Sequence, residues 1–501
     1  MSDEAWKTAI ELWRALPEEE KARRRWEIIP RRVAASMAAA GEPASLAMLE
    51  AEHAKKQMPM VRPRVSVIQS TELPTIQPGE HPLGLQNPEL TKGPMSMNLQ
   101  QLQSLVDDGA VAIRGTATLE PAGGPGDKVF PPTHAVDDKN KKPGAKYAFE
   151  TRRIDGQDVN CVLIDSVQSQ ANRMEEALEA LWAAGEIQLP VVSVDFSSVA
   201  PEVGRVTSLS APHRIADALL RDSMLDGQLF RLSDIGRSFT DASTRNATAL
   251  FKACPTGLVF GLWDSTGPKG GLGAKFQRAL VSEIVGIHAV HGSKTSSRID
   301  PLNIMKTDVY MAADDDQQWT TSVDKAKRND RGELIRFGKE GKPSELNHGN
   351  VTPGIDTVAG GVTIDEARHT VVLSIASLRR LGFASGAAQA RTVLAALGLL
   401  AVLAAESRGH DLRSRCLLVP RQGGALKLEV VARDGSTTPI ELNLAGAIAL
   451  YNQAVSNLPE GMKFDTPAGE AIAQLQPSPK LADLVKKSRE LAAAGADAGE
   501  A

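Results

Sequence analysis

The densest run of chemistry-bearing residues in this 501-residue chain is Trp263 to Arg278, WDSTGPKGGLGAKFQR. Glycines at 267, 270, 271 and 273 permit positive φ and close backbone approach, which lets a loop turn its N–H groups onto a phosphate. Lys269, Lys275 and Arg278 would add positive charge. A nucleotide-hydrolysing P-loop ends in Gly-Lys followed by Ser or Thr. Here Ala274 separates Gly273 from Lys275, and Phe276 stands where the metal-binding hydroxyl would be. Spacing alone leaves two readings open, a glycine turn with no ligand and a loop that grips polynucleotide phosphates.

His213 lies beside Arg214, with Asp217, Arg221 and Asp222 close by. An imidazole titrating near neutrality could serve acid/base cleavage of RNA. On a helix, Arg214, Asp217 and Arg221 would share one face, and an intrahelical ion pair explains them without catalysis. His288 and His291 are three apart with no carboxylate or third His at ligand spacing, so these two do not suggest zinc. The aromatic-rich signature of a base-stacking RNA sheet is absent, and only 4% of the chain is aromatic. If nucleic acid binds, contacts to its sugar-phosphate chain must dominate, with strong salt dependence and little sequence preference.

The elements that must position these residues alternate irregularly. Trp6, Ile10 and Trp13 recur at helical spacing, the cluster Lys21 to Arg25 is basic, and Arg31 to Lys56 is Ala-rich, so residues 1–58 read as a small helical extension. Seven prolines between Pro59 and Pro94 exclude regular helix and make 59–96 an extended linker. The body, 97–480, opens with a helix over Asn98 to Asp108 and a strand over Ala110 to Leu119. Insertions are expected near 120–158 and 310–355, the second as a hairpin. Val159 to Ile164 reads as a buried strand. Asp165, with Gln168 three residues on, reads as the cap of a helix whose stripe is Val167, Ala171, Met174, Leu178, Leu181 and Trp182. Pro212 to Leu225 reads as another helix with Pro212 in its first turn. Leu258 to Trp263 reads as an apolar strand, and Phe276 to Val290 fits both periods, with strand preferred after Val281. Further strands are expected at Val371 to Ile375, Cys416 to Val419 and Leu426 to Val431, a long buried helix at Ala387 to Ser407, and a frayed Ala-rich tail over 481–501. The pattern favours an α+β fold over a doubly wound parallel sheet.

The totals suit a soluble globular protein, 42% hydrophobic and 24% charged. Three cysteines, Cys161, Cys254 and Cys416, form no C-x-x-C pair and fit buried thiols in a reducing cytoplasm. The acidic start carries no secretory h-region, and the apolar run Val393 to Ala405 is shorter than the ~20 residues of a membrane span. Net charge is −4, yet Arg205 to Lys306 holds thirteen Lys plus Arg against eight Asp plus Glu. A basic face on an acidic molecule and an ordinary solvated surface both fit that excess.

Five segments together resemble one family: CVLIDSVQSQANRMEEAL (Cys161 to Leu178), PHRIADALLRDS (Pro212 to Ser223), Ala247 to Gly286 with the glycine loop, SRIDPL (Ser297 to Leu302) and LSIASLRRLGF (Leu373 to Phe383). In this order they are similar to the RAMP-superfamily backbone subunit (Cas-seven group) of type I-G, formerly I-U, CRISPR effector complexes. The resemblance covers roughly Asn98 to Leu458. It implies an RRM-like (ferredoxin-like) palm with large insertions, and copies of the chain polymerising along crRNA that pairs with target DNA. It implies as partners a large subunit, a fused processing subunit and a helicase-nuclease, and it implies no cofactor, metal or catalytic residue. Carried onto this chain, RNA contact falls to Gln168, Ser169, Gln170, Asn172 and Arg173, to His213 and Arg214, to Lys252, to Lys269, Gly270, Gly271, Gly273, Lys275 and Arg278 in the loop, and to Arg298. Against it stands a nucleotide- or RNA-hydrolysing enzyme using the Gly267 to Lys275 loop or His213. Residues 1–94 have no counterpart in the family pattern.

Overall fold

The computed structural model describes residues 95–134, 146–265, 273–314 and 318–497. The helical extension expected over 1–58, and all but the last two residues of the linker, lie outside them.

Ten strands make the main sheet: β1 (Met95–Ser96), β2 (Ala112–Pro121), β3 (Phe149–Ile154), β4 (Gln157–Asp165), β5 (Leu280–Ile287), β6 (Glu366–Ser374), β7 (His410–Asp411), β8 (Leu417–Pro420), β9 (Lys427–Val431) and β10 (Thr437–Glu441). Their order is β1-β10-β9-β2-β6-β5-β4-β3, with β8 also on β2 and β7 on β8. Only β1 with β10 is parallel. Within the sheet, β9-β2-β6-β5 is a four-strand antiparallel core in which chain-order strands one, two, three and four take the spatial order 4-1-3-2. The fold is α+β, as the irregular alternation predicts.

Alternation builds the two faces. Along β2, Ile113, Ala117 and Leu119 are buried, while Arg114 on the other face pairs with Glu429. Arg152 and Glu283 pair on the same polar face, from β3 and β5. The apolar face is covered by α1 (Leu99–Ser104), α2 (Val167–Ala183), α3 (Ala387–Ser407) and α4 (Leu444–Ser456), which share one large core with Ile113, Val371 and Leu373. Although α3 is long and apolar enough to cross a membrane, thirteen of its residues are buried by its neighbours, as the core-helix reading predicts. The three cysteines are buried and free.

Several elements depart from expectation. The cap of α2 is Ser166, whose Oγ accepts from Ser169 N; Asp165 instead turns inward as a buried acceptor. The insertion near 120–158 contains β3, which hairpins onto β4. The second insertion is the whole β5–β6 connection, carried on arms Lys294–Arg298 and Val351–Asp356, with a smaller ribbon of Tyr310–Met311 and Trp319–Thr320. Leu258 to Trp263 is not one strand, because Thr256–Phe260 is helical and Gly261 breaks it at φ +88° before Leu262–Trp263 pairs with Lys275–Phe276. A short apolar run does not distinguish the two by period. Pro212 to Leu225 is not one helix either. It splits into a 3₁₀ turn, Arg214–Ala216, a short helix, Ala218–Arg221, and the strand Ser223–Leu225, which joins a second sheet through Ala473–Pro477. The tail expected to fray is helical over Pro479–Asp497.

Candidate nucleic-acid interface

Where β4 leaves for α2, β5 enters, and β6 leaves for the helix Ile375–Arg379, the end of the sheet opens into a cleft of about 1340 Å³. Its walls come from four segments. The first turns of α2 supply Gln168 and Asn172, the broken segment supplies His213, Arg214 and Arg221, the ribbon supplies Trp263, Lys275, Gln277 and Arg278, and the turn after β6 supplies Ser377 and Arg380. No carboxylate lines it among the described residues, and loop 266–272 contains none in its sequence.

The cleft's floor is held by one buried ion pair. Arg214 donates from Nε and Nη2 to the two Glu175 carboxylate oxygens at 2.6 and 2.7 Å, and from Nη1 to Gly261 O at 3.0 Å. Both side chains are almost wholly buried. Burial pushes the Glu175 carboxyl up to about 7, with the Arg214 charge and hydrogen bonds opposing it. The bend that aims Arg214 inward puts it at φ +54°, an unusual backbone for a residue with a long side chain. Asp217 supports the bend by accepting from His213 N and Leu219 N, both at 2.9 Å. The intrahelical pairing expected of Arg214 is thus replaced by a contact across the fold, while Arg221 forks onto Asp222.

Nearer the mouth the cations have weaker compensation. Lys275 Nζ sits 5.0 Å above the Trp263 ring, and that tryptophan is 57% exposed. Arg380 reaches Ser377 Oγ at 3.2 Å. Arg278 Nη1 is buried with no hydrogen-bond partner among the described residues, and desolvation together with Arg214 lowers its pKa. Asp264, next to Trp263, faces away from the cleft and pairs with Arg231 in the interior. Gly261 is indispensable to this layout: a Cβ there would come within 2.9 Å of Arg278 Cγ and 3.2 Å of its backbone N. Gly261→Ala should therefore cost ~1–3 kcal/mol from the backbone conformation alone, which only glycine adopts readily, measured by chemical denaturation.

Of the residues singled out in the sequence, Gln168, Asn172, His213, Arg214, Lys275 and Arg278 meet in this cleft. Ser169, Gln170 and Arg173 do not. They converge on buried Asp165, at 2.9, 2.7 and 3.0 Å, where Arg413 also donates at 2.9 Å. Lys252 lies 3.5 Å from Asp465, and Arg298 is on the insertion arm. Gly273 closes the described end of the loop, while Lys269, Gly270 and Gly271 lie outside the described residues. Sequence reasoning misses Trp263, Ser377 and Arg380, while Gln277 falls within the Lys269 to Arg278 loop it singles out. The Arg379-Arg380 doublet is the one available signal, but its first member is structural, donating to the carbonyls of Val106 and Leu105.

A second, smaller cavity of about 210 Å³ lies behind the Asp165 network, lined by Gln170, Arg173, His369, Glu406 and His410 among others.

Residues 113–291, roughly a third of the chain, match the family described as CRISPR-associated protein GSU0053. No curated protein matches the chain. The matched stretch runs from β2 to just past β5 and includes three of the cleft's four walls. Through that segment the chain is similar to a CRISPR-associated protein family, and a role in CRISPR defence is the function class the similarity supports.

Proposed function

We propose that the protein is a non-catalytic crRNA-binding backbone subunit of a type I-G CRISPR complex, and that the cleft holds the guide's sugar-phosphate chain. The observation that carries this reading is the carboxylate-free lining, with Lys275, Arg278 and Arg380 facing it on a chain of net charge −4. Positive side chains gathered without acids attract polyanions and release their counterions on binding. At about 1340 Å³ the cleft exceeds the ~300–1,000 Å³ usual for small ligands, which suits a polymer. Gln168, Asn172, Gln277 and Ser377 add neutral donors of the kind that fix a backbone in place without reading bases. The 4-1-3-2 order of β9-β2-β6-β5 supports an RRM-like palm.

Hydrolysis finds less support. His213 is exposed on the cleft wall, and no acid stands in that lining to orient it or to hold a catalytic metal. On this reading copies of the chain polymerise along the RNA in the cytoplasm. The large subunit, the processing subunit and the helicase-nuclease join the same assembly, and the guide pairs with target DNA.

Protein co-expressed with its CRISPR array should purify with RNA, seen as a raised 260/280 nm ratio, and release it steeply as salt rises. Purification free of nucleic acid under those conditions contradicts the proposal. The exposed Trp263 face is suited to stacking one base, so Trp263→Ala should weaken RNA binding by ~1–3 kcal/mol, measured by fluorescence anisotropy.

A further inference from the structure

Three side chains of metal-ligand type, none used by the RNA cleft, meet at the smaller cavity: His369 in β6, Glu406 in the last turn of α3 and His410 in β7. His369 Nδ1 lies 3.0 Å and His410 Nε2 3.4 Å from the same Glu406 oxygen. Tetrahedral zinc, with bonds of ~2.0–2.1 Å, holds its ligand atoms ~3.3 Å apart, so the spacing is that of one face of such a site.

The hydrogen-bond network fixes which nitrogen of His369 is free. Gln170 Nε2 donates to Asp165 at 2.7 Å, leaving Gln170 Oε1 to accept from Ser282 Oγ at 2.9 Å. The one hydroxyl hydrogen of Ser282 is thereby committed, so at 2.8 Å Ser282 Oγ accepts from His369 Nε2–H. In the neutral ring Nδ1 then carries the lone pair. It is buried, with Glu406 Oε1 3.0 Å away and no hydrogen-bond donor on it among the described residues. A buried imidazole lone pair beside a carboxylate oxygen is relieved by a cation shared between them, a proton on Nδ1 or a metal ion, and the second imidazole on the same oxygen makes the set one that a metal ion would fit. The nearby arginines do not supply that cation, since Arg173 and Arg408 are paired with Asp165 and Glu176.

We propose that His369 Nδ1, Glu406 and His410 Nε2 bind one divalent transition-metal ion, with zinc the best fit to two imidazoles and a carboxylate. The fourth position faces the cavity of about 210 Å³, which has room for a water ligand. Ser282, Gln170 and Asp165 form the outer support that orients His369. The ion joins β6, α3 and β7, tying the β7–β8 edge hairpin to the core helix.

Untagged, chelator-treated full-length protein titrated with zinc chloride in a calorimeter should take up one equivalent. The cobalt(II) form should show the visible absorption band of tetrahedral coordination. Glu406→Gln and His410→Gln should each weaken zinc binding by more than ~10-fold, and Ser282→Ala, which only removes the support of His369, by ~10–100-fold. Folding of each variant is checked by circular dichroism, and if one fails to fold the remaining two decide. Folded wild-type protein that takes up no zinc, or variants that bind it as tightly as wild type, would overturn the site.

Discussion

Replacing Glu175 by alanine should cost ~3–5 kcal/mol of folding stability, because it leaves the Arg214 guanidinium buried without its countercharge. The pair is deep in the floor of the cleft, and what remains to Arg214 is one hydrogen-bond acceptor, the carbonyl of Gly261, and the face of the Phe260 ring. A neutral carbonyl does not compensate a buried charge. Urea denaturation should show a lowered midpoint. Glu175→Leu combined with Arg214→Met should recover most of the loss, since replacing both members of a buried pair by apolar residues of similar size is often neutral. The double variant would then fold yet carry an altered cleft floor, separating stability from RNA affinity. A single Glu175→Ala change that leaves stability within about 0.5 kcal/mol of wild type would mean that the pair does not hold the floor.

Removing Lys275, Arg278 and Arg380 together, each to alanine, should lower affinity for single-stranded RNA by at least ~100-fold, taking ~1.5–3 kcal/mol for each charge-assisted interaction and allowing for incomplete additivity. The effect should be uniform across RNA sequences, because these groups face the cleft as cations and are not arranged to read base edges. The slope of log K against log salt should shrink by about 2, at ~0.7 for each single-strand phosphate that the variant no longer neutralises. Lys275 and Arg380 lie at the surface, so their removal should change stability little, whereas Arg278 is partly buried, and circular dichroism checks that the triple variant is folded. Weakening confined to particular sequences would show that the cleft reads bases.

Much of this architecture is written locally. The alternation of β2, the apolar run of α3 and the stripe of α2 are set by which neighbours along the chain must be buried, and each appears where its period places it. The departures are decided by partners distant in sequence. Arg214 leaves helical geometry to reach Glu175, and Asp165 gives up the capping role to Ser166 because Gln170, Arg173 and Arg413 claim its oxygens. Glu175 and Glu176 are adjacent and identical in type, yet one is buried under Arg214 and the other exposed beside Arg408. No local pattern distinguishes them. The polar start of α2 reads as one RNA-facing surface, but helical geometry divides it, sending Gln168 and Asn172 to the cleft and Ser169, Gln170 and Arg173 to Asp165. His369, Glu406 and His410 come together through a strand, a helix end and an edge hairpin, so their association depends on topology and not on spacing.

Ultraviolet cross-linking of the purified ribonucleoprotein, followed by mass spectrometry of the RNA-bearing peptides, tests most directly whether the cleft holds the guide. Cross-links should fall on peptides containing Trp263, Lys275 to Arg278 and Arg380. A particle that carries RNA but is cross-linked only through other surfaces, such as the insertion arms at Lys294–Arg298 and Val351–Asp356, would contradict the account.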